Sequence, residues 1–297
     1  MASLSNNAAF SSSAATTPKG GGGGRVAVVT GSNKGIGFHV ALQLAASGLF
    51  GSVLLGCRNP VLGAAAASRI SESLGSGRVA TDVAFLSLTL GDAESHRNFR
   101  NVVEERYGKI DVLCNNAATA FKGSDPTPFE AQCKPTLDVN FRGTVDLTLE
   151  LLPLVRRGTD ARIVNVASMA GHLSQLRSKE LRDQFSAPDL TMSELRGLVD
   201  KFEADVKAGT HAQEGWGNSN YGLSKLAVIA ATRVWAREEA KNGVTVNCCC
   251  PGCCDTDMTS HRGPRHPADG AKNAVLPATM KDPPTGQFFR DLRPSEW

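Results

Sequence analysis

Tyr221 and Lys225 stand four residues apart in the tract Asn220-Tyr221-Gly222-Leu223-Ser224-Lys225. On a helix that spacing puts phenol and ammonium on one face, a turn apart. A phenol ordinarily ionises near 10, too high for ready proton exchange at neutral pH, and a nearby ammonium stabilises the phenolate and lowers that value. Alone, the pair is also what a solvated helix face looks like. A second group far upstream changes its weight: Thr30-Gly31-Ser32-Asn33-Lys34-Gly35-Ile36-Gly37. Gly31, Gly35 and Gly37 follow a short apolar run and open a helical pattern. There the chain must turn sharply, let a pyrophosphate approach its backbone and seat a helix close to a sheet. Asn33, Lys34 and Ile36 share the loop, and the helix N-terminus offers free N–H groups and a favourable dipole to phosphate. A dinucleotide held by the glycines, with a phenol and an ammonium beside its nicotinamide, is an arrangement for moving a hydride and a proton together.

The residue types also choose between the two nicotinamide cofactors. Sites for NAD usually place an acid at the end of the second strand, on the ribose 2′-hydroxyl. This chain has no Asp or Glu before Glu72, and its second strand ends in Cys57-Arg58-Asn59. Arg58 can clamp a 2′-phosphate in bidentate fashion, and Lys34 can add a second positive charge. The cofactor expected is therefore NADP(H).

These groups need a frame. Short apolar runs at 26–29, 52–55, 83–90, 110–114, 162–166 and 244–248 read as buried strands. Helical patterns fall between them at 35–47 (with Gly48 closing it), 60–74, 92–107, 136–157 and 219–241, and a short strand near 287–289 closes the edge. Strands alternating with helices mean βαβ units with right-handed crossovers. The fold class is α/β, a doubly wound Rossmann-type parallel sheet. Between the fifth strand and the Tyr-Lys helix lies an insert of about 50 residues, 169–218, far longer than a simple crossover loop. It carries helical patterns near 178–185 and 193–207. Residues 25–297 are expected to form one Rossmann-type domain. Residues 1–24, mostly Ser, Ala, Asn, Thr and Gly, read as a disordered tail.

Composition excludes several classes. A net charge of +3 is too small to argue for nucleic acid or an anionic membrane, and no apolar run is long enough to span a bilayer. Of eight cysteines, five fall within Cys248–Cys254. Neighbours in a strand point to opposite faces, so this run suits neither disulfides nor a zinc site, and no metal is expected. Cys250 is the candidate for a thiol at the pocket rim. A reducing compartment follows, the cytoplasm, with organelle or plastid import through the acid-free residues 1–24 as the alternative.

The ordered set Thr30-Gly31 to Gly37, Asn115-Asn116-Ala117, Asn140, Ser168, Tyr221 to Lys225 and Pro251-Gly252 resembles the short-chain dehydrogenase/reductase superfamily. Phe121-Lys122, Asp125 to Phe129, Leu151 to Leu154, Glu214-Gly215-Trp216, Thr256-Asp257-Met258 and Trp297 bring it nearest the NADPH-dependent carbonyl reductases. The resemblance implies that Ser168 binds the substrate oxygen, Tyr221 delivers its proton, and Lys225 holds the nicotinamide ribose and tunes Tyr221. It implies that Asn140 anchors a water leading to Lys225, that Asn115 closes over the adenosine side, and that Pro251 and Thr256 complete the cofactor site. Phe121, Met169 and Cys253 join Ser168 around the substrate. The implied activity is reduction of aldehydes, ketones or quinones, glutathione conjugates among them, by a monomer whose insert covers helices that pair in tetrameric relatives. A terpenoid or alkaloid ketone reductase and a non-catalytic NADP(H)-binding sensor are the alternatives. The sequence departs from the pattern at Ala118, Thr89, Ala167 and Cys253, the last replacing a bulky side chain over the substrate.

Overall fold

Each short apolar run becomes one strand of one sheet. The computed structural model describes residues 24–75 and 81–297, so the tail expected at 1–24 lies outside it except for Gly24. The strands are β1 (Val26–Thr30), β2 (Ser52–Cys57), β3 (Asp82–Ser87), β4 (Val112–Asn115), β5 (Arg162–Val166), β6 (Thr245–Cys250), β7 (Phe288–Arg290) and β8 (Arg293–Ser295). Their order is β3-β2-β1-β4-β5-β6-β7-β8, parallel throughout except for the antiparallel β7–β8 pair. The central strands are apolar along their length because both faces are covered. Val26, Val28 and Leu54 face one core; Ala27, Val29, Val53 and Leu55 face the other.

The helices are α1 (Gly35–Ala46), α2 (Pro60–Leu74), α3 (Ala93–Tyr107), α4 (Phe129–Leu137), α5 (Gly143–Val155), α6 (Lys179–Ser186), α7 (Met192–Ala208), α8 (Asn220–Glu239) and α9 (Pro267–Thr279). Strand order reverses between β1 and β4, and the crevice at their carboxyl ends is where such sheets bind ligands. Among the described residues no helix is long and apolar enough to cross a membrane.

Four features differ from the sequence reading. The expected strand at 83–90 pairs with β2 only as far as Ser87, after which the chain turns into the Asp92 cap of α3. The helix expected at 136–157 is three segments: α4, a π-helical turn at Asp138–Arg142, and α5. Helix α4 carries Pro135 inside it and forms because Cys133, Thr136 and Leu137 bury beneath it against α8. Helix α9 was hidden in a tract broken by Pro and Gly. Pro267 stands at its first turn, where no N–H is needed, and Ala271, Ala274 and Ala278 pack toward α1. The hairpin to β8 turns on Asp291 and Leu292, both at positive φ, without the glycine or asparagine that would have marked it.

The insert forms α6 and α7 close to where expected. A capping box between Thr191 and Glu194 starts α7. Trp216 anchors the return to α8, fully buried against Phe185 and Phe202, with its Nε1 donating to Asp205 Oδ2 at 2.7 Å.

Candidate active site

The glycines of the first loop each answer a steric demand. Gly31 has φ +64°, and a Cβ there would lie 2.8 Å from Ala117 Cα. Gly35 has φ +59°, and a Cβ on Gly37 would sit 2.4 Å from Asn116 Nδ2 and 2.5 Å from the Gly31 carbonyl oxygen. The first two turn the chain; the third lets α1 close onto the β4 end. No side chain caps α1 at Lys34, so its first N–H groups face a cavity of about 970 Å³. Gly31, Asn33, Lys34, Gly35, Ile36 and Gly37 line that cavity, as do Arg58, Phe121, Tyr221, Lys225, Pro251 and Thr256. Elements far apart in sequence thus converge on one space at the carboxyl edge of the sheet.

Its shape and chemistry fit a phosphorylated dinucleotide. The glycine cradle admits a backbone-bound pyrophosphate. Arg58 is exposed at the end of β2, and the following Asn59 spends its side chain capping α2. Lys34, expected to add a second positive charge beside Arg58, is instead engaged in an ion pair. Its Nζ reaches across the cleft to Asp257 Oδ2 at 2.5 Å. His261 joins this network, with Nδ1 2.7 Å from Asp255 and Nε2 2.9 Å from Asp257. Those two carboxylates hold the imidazole above its ordinary pKa. Neither Asp257 nor His261 was singled out from sequence as a cavity residue, because a fold is needed to bring the loop after β6 over the glycine loop.

Tyr221 and Lys225 do share one face of α8. The ammonium is buried and lies 5.7 Å from the phenol ring centroid. It donates to the Val166 carbonyl at 2.8 Å. Burial lowers its pKa to about 8, with Cys249 and Cys250 opposing. Burial pushes Tyr221 up to about 12, and contact with the Ser168 hydroxyl opposes that. This corrects the expectation that Lys225 lowers the phenol: its charge is turned toward a strand carbonyl, and desolvation dominates.

Ser168 lies two residues beyond β5 beside Tyr221, capping the 3-10 turn that follows, its Oγ accepting from Ala170 N at 3.1 Å. Ser168, Met169 and Cys253 do not line the large cavity, whereas Phe121 does. Met169 instead packs on a small apolar cluster with Ala167, Cys248 and Cys250. Asn140 sits in the π-helical turn and is buried. Its Oδ1 accepts from Thr119 N at 2.7 Å, and its Nδ2 donates to the Thr119 carbonyl at 2.9 Å and to Ser224 Oγ at 3.0 Å.

Two placements change. Asn115 does not reach the cavity: as the last residue of β4 it points into the core, donating to Thr148 Oγ1 and Asn165 Oδ1 at 2.9 Å each. Asn116 lines the cavity instead and donates to the Thr30 and Gly31 carbonyls at 2.9 and 3.2 Å. Strand alternation is the signal that could have separated the two. Cys250 is buried, its sulfur accepting from Met169 N and Gly252 N, and Cys253 is the exposed thiol of the run. Cys249 faces the opposite core from Cys248 and Cys250.

A family model described as short chain dehydrogenase matches residues 25–178 and 206–266. NADPH carbonyl reductase 1 of Macaca fascicularis is 40% identical over 283 residues, 92% of this chain and 98% of that protein. The protein of the same name from Homo sapiens is 39% identical over 281 residues, again 92% and 98%. Among solved structures, salutaridine reductase from Papaver somniferum superposes with a TM-score of 0.80 at 28% identity, covering 90% of this chain and 99% of that one. Menthone neomenthol reductase from Mentha piperita superposes with a TM-score of 0.73 at 26% identity and the same coverage.

Proposed function

The chain belongs to the short-chain dehydrogenase family, and from that premise we propose that it reduces aldehydes, ketones or quinones to alcohols with NADPH. The observation that carries this is the single cavity into which the glycine loop, Arg58, Tyr221 and Lys225 all open. NADPH, when bound, supplies the hydride. The protein supplies position and charge. The glycine loop and the α1 N-terminus receive the pyrophosphate, and Arg58 receives the 2′-phosphate. Burial keeps Tyr221 protonated at neutral pH and makes it a weaker acid, yet an alkoxide is a stronger base than a phenolate, so the oxygen on which charge develops can still take its proton. Lys225 holds the ribose hydroxyls, and Ser168 orients the substrate oxygen. Asn140 acts by fixing the segment around Thr119 that walls the cavity. Asn115 is left with a structural part.

Finer statements go with this reading. We place the chain in the cytoplasm as a monomer. Support for the monomer is that α7 lies over α4 and α8, with Arg142 paired to Asp200 and Glu203 and Arg196 paired to Asp146. Cyclic ketones belong in the substrate range because two similar structures are those of salutaridine and menthone reductases. Glutathione-conjugated aldehydes are included on the family resemblance alone.

NADPH oxidation, followed by absorbance with quinones, aldehydes, cyclic ketones and a glutathione-conjugated aldehyde, tests the proposal. Turnover of at least one class is expected. Tight NADPH binding with turnover of none would leave a cofactor-binding sensor in its place.

A further inference from the structure

We propose that Trp297 is a positioning residue for the substrate: its indole latches the turn that carries Ser168 and thereby sets where the Ser168 hydroxyl stands beside Tyr221. The proposal rests on the carbonyl-reduction reading given above.

After β5 the chain makes a 3-10 turn at Met169–Gly171. Ser168 begins the turn twice over, its Oγ accepting from Ala170 N at 3.1 Å and its carbonyl from Gly171 N at 2.9 Å. The other end of the turn sits directly on the Tyr-Lys helix. A Cβ on Gly171 would lie 2.7 Å from the carbonyl carbon of Lys225 and 2.9 Å from its oxygen. The turn therefore spans the gap between the serine and the helix bearing the phenol, and a shift in it moves one against the other.

The Gly171 carbonyl is held by a residue 126 positions away. Trp297 Nε1 donates to it at 2.8 Å. The β7–β8 hairpin returns the chain so that this indole lies over the turn. The ring is fixed on its other side by the Arg233 guanidinium, 5.4 Å from the ring centroid. It also packs against the apolar cluster formed by Ala167, Val228, Ile229, Cys248, Cys250 and Phe288, on which Met169 rests as well. An aromatic side chain with two rotatable bonds, stacked and hydrogen-bonded, keeps its N–H aimed at one point. A shift of about 1 Å at a reacting group is enough to cost catalysis even when it originates away from the chemistry.

The test uses the full chain with NADPH bound. Trp297→Phe keeps the ring and removes the donor. Loss of one hydrogen bond of ordinary strength predicts a fall of about fivefold or more in kcat/KM toward a prochiral cyclic ketone. The stereochemical ratio of the alcohol product should erode, and NADPH affinity should stay within about twofold. A merely structural role would leave the product ratio unchanged. A second arm needs no turnover: hydrogen exchange at the Ala170 and Gly171 amides should quicken about tenfold in the variant while the peptides of α8 keep their protection. Arg233→Leu, which removes only the stacking partner, should change the same readouts in the same direction by less and serves if Trp297→Phe does not fold. Unaltered amide exchange in the variant overturns the latch. An unaltered product ratio in an active enzyme overturns its effect on the substrate. Should the unmodified chain reduce no carbonyl, that defeats the reduction reading, and the exchange measurement still decides the latch.

Discussion

Desolvation moves both members of the proposed catalytic pair toward their neutral forms. Tyr221 at about 12 is a proton donor held in its protonated form, so Tyr221→Phe should lower kcat by about 10²-fold to 10⁴-fold with NADPH affinity nearly intact. A variant that retains most of its turnover would reject Tyr221 as donor. Lys225 titrates at about 8 because its ammonium is buried. If its positive charge is what serves the ribose and the reacting oxygen, kcat/KM for reduction should be level below that pH and fall above it. A profile still flat at pH 10 would remove the charge from the mechanism. Stability moves the opposite way. The folded chain gives up this proton before the unfolded chain does, so between about 8 and the ordinary lysine value of 10.5 the unfolded state binds more protons and stability rises with pH. Arg58 stands where NAD enzymes carry an acid. Arg58→Asp should raise the KM for NADPH by about tenfold or more and change the KM for NADH much less. Equal changes would put the 2′-phosphate elsewhere.

Elements meet over the cleft through Lys34, Asp257 and His261. The loop after β6 is tied to the glycine loop by an ion pair and to itself by two imidazole contacts. The pKa of His261 is raised by Asp255 and then Asp257, so its contribution is whole below the ordinary histidine range and is lost as pH rises through the raised value. Hydrogen exchange in residues 255–262, corrected for intrinsic rate, should therefore quicken across that window. Asp257→Asn should leave the loop less protected at every pH. A loop whose protection ignores both changes would not be held by these charges. The π-helical turn at Asp138–Arg142 is a second element-scale device. It interrupts the hydrogen-bond ladder where Asn140 must reach the Thr119 backbone and Ser224, which a continuous α-helix need not allow.

On the scale of the molecule, the proposed monomer rests on the insert between β5 and α8. Helix α7 is joined to the body by Arg142 with Asp200 and Glu203, and by Arg196 with Asp146. Helix α7 thus covers part of α4 and α8, the surface that the proposed monomer keeps from pairing. Sedimentation equilibrium should return the mass of one chain at micromolar concentration; a mass near four chains would overturn the monomer.

Much of the frame was legible because burial on both faces writes itself as short apolar runs, and because glycines at Gly31, Gly35 and Gly37 answer a backbone demand that few other patterns share. The Tyr221 and Lys225 pairing was legible for the same local reason, helical periodicity. Three matters waited for the fold. Whether Asn115 or Asn116 faces the cleft depends on where β4 ends. Whether Lys34 is free depends on a carboxylate 223 residues away. Helix α9 was obscured by prolines whose cost vanishes at a first turn and is outweighed by packing on α1. Sequence determines what a segment can do alone, through period, turn chemistry and side-chain type. Charge state, partner and exposure are set by what the rest of the chain brings within a few ångströms, and desolvation acts only once that packing exists.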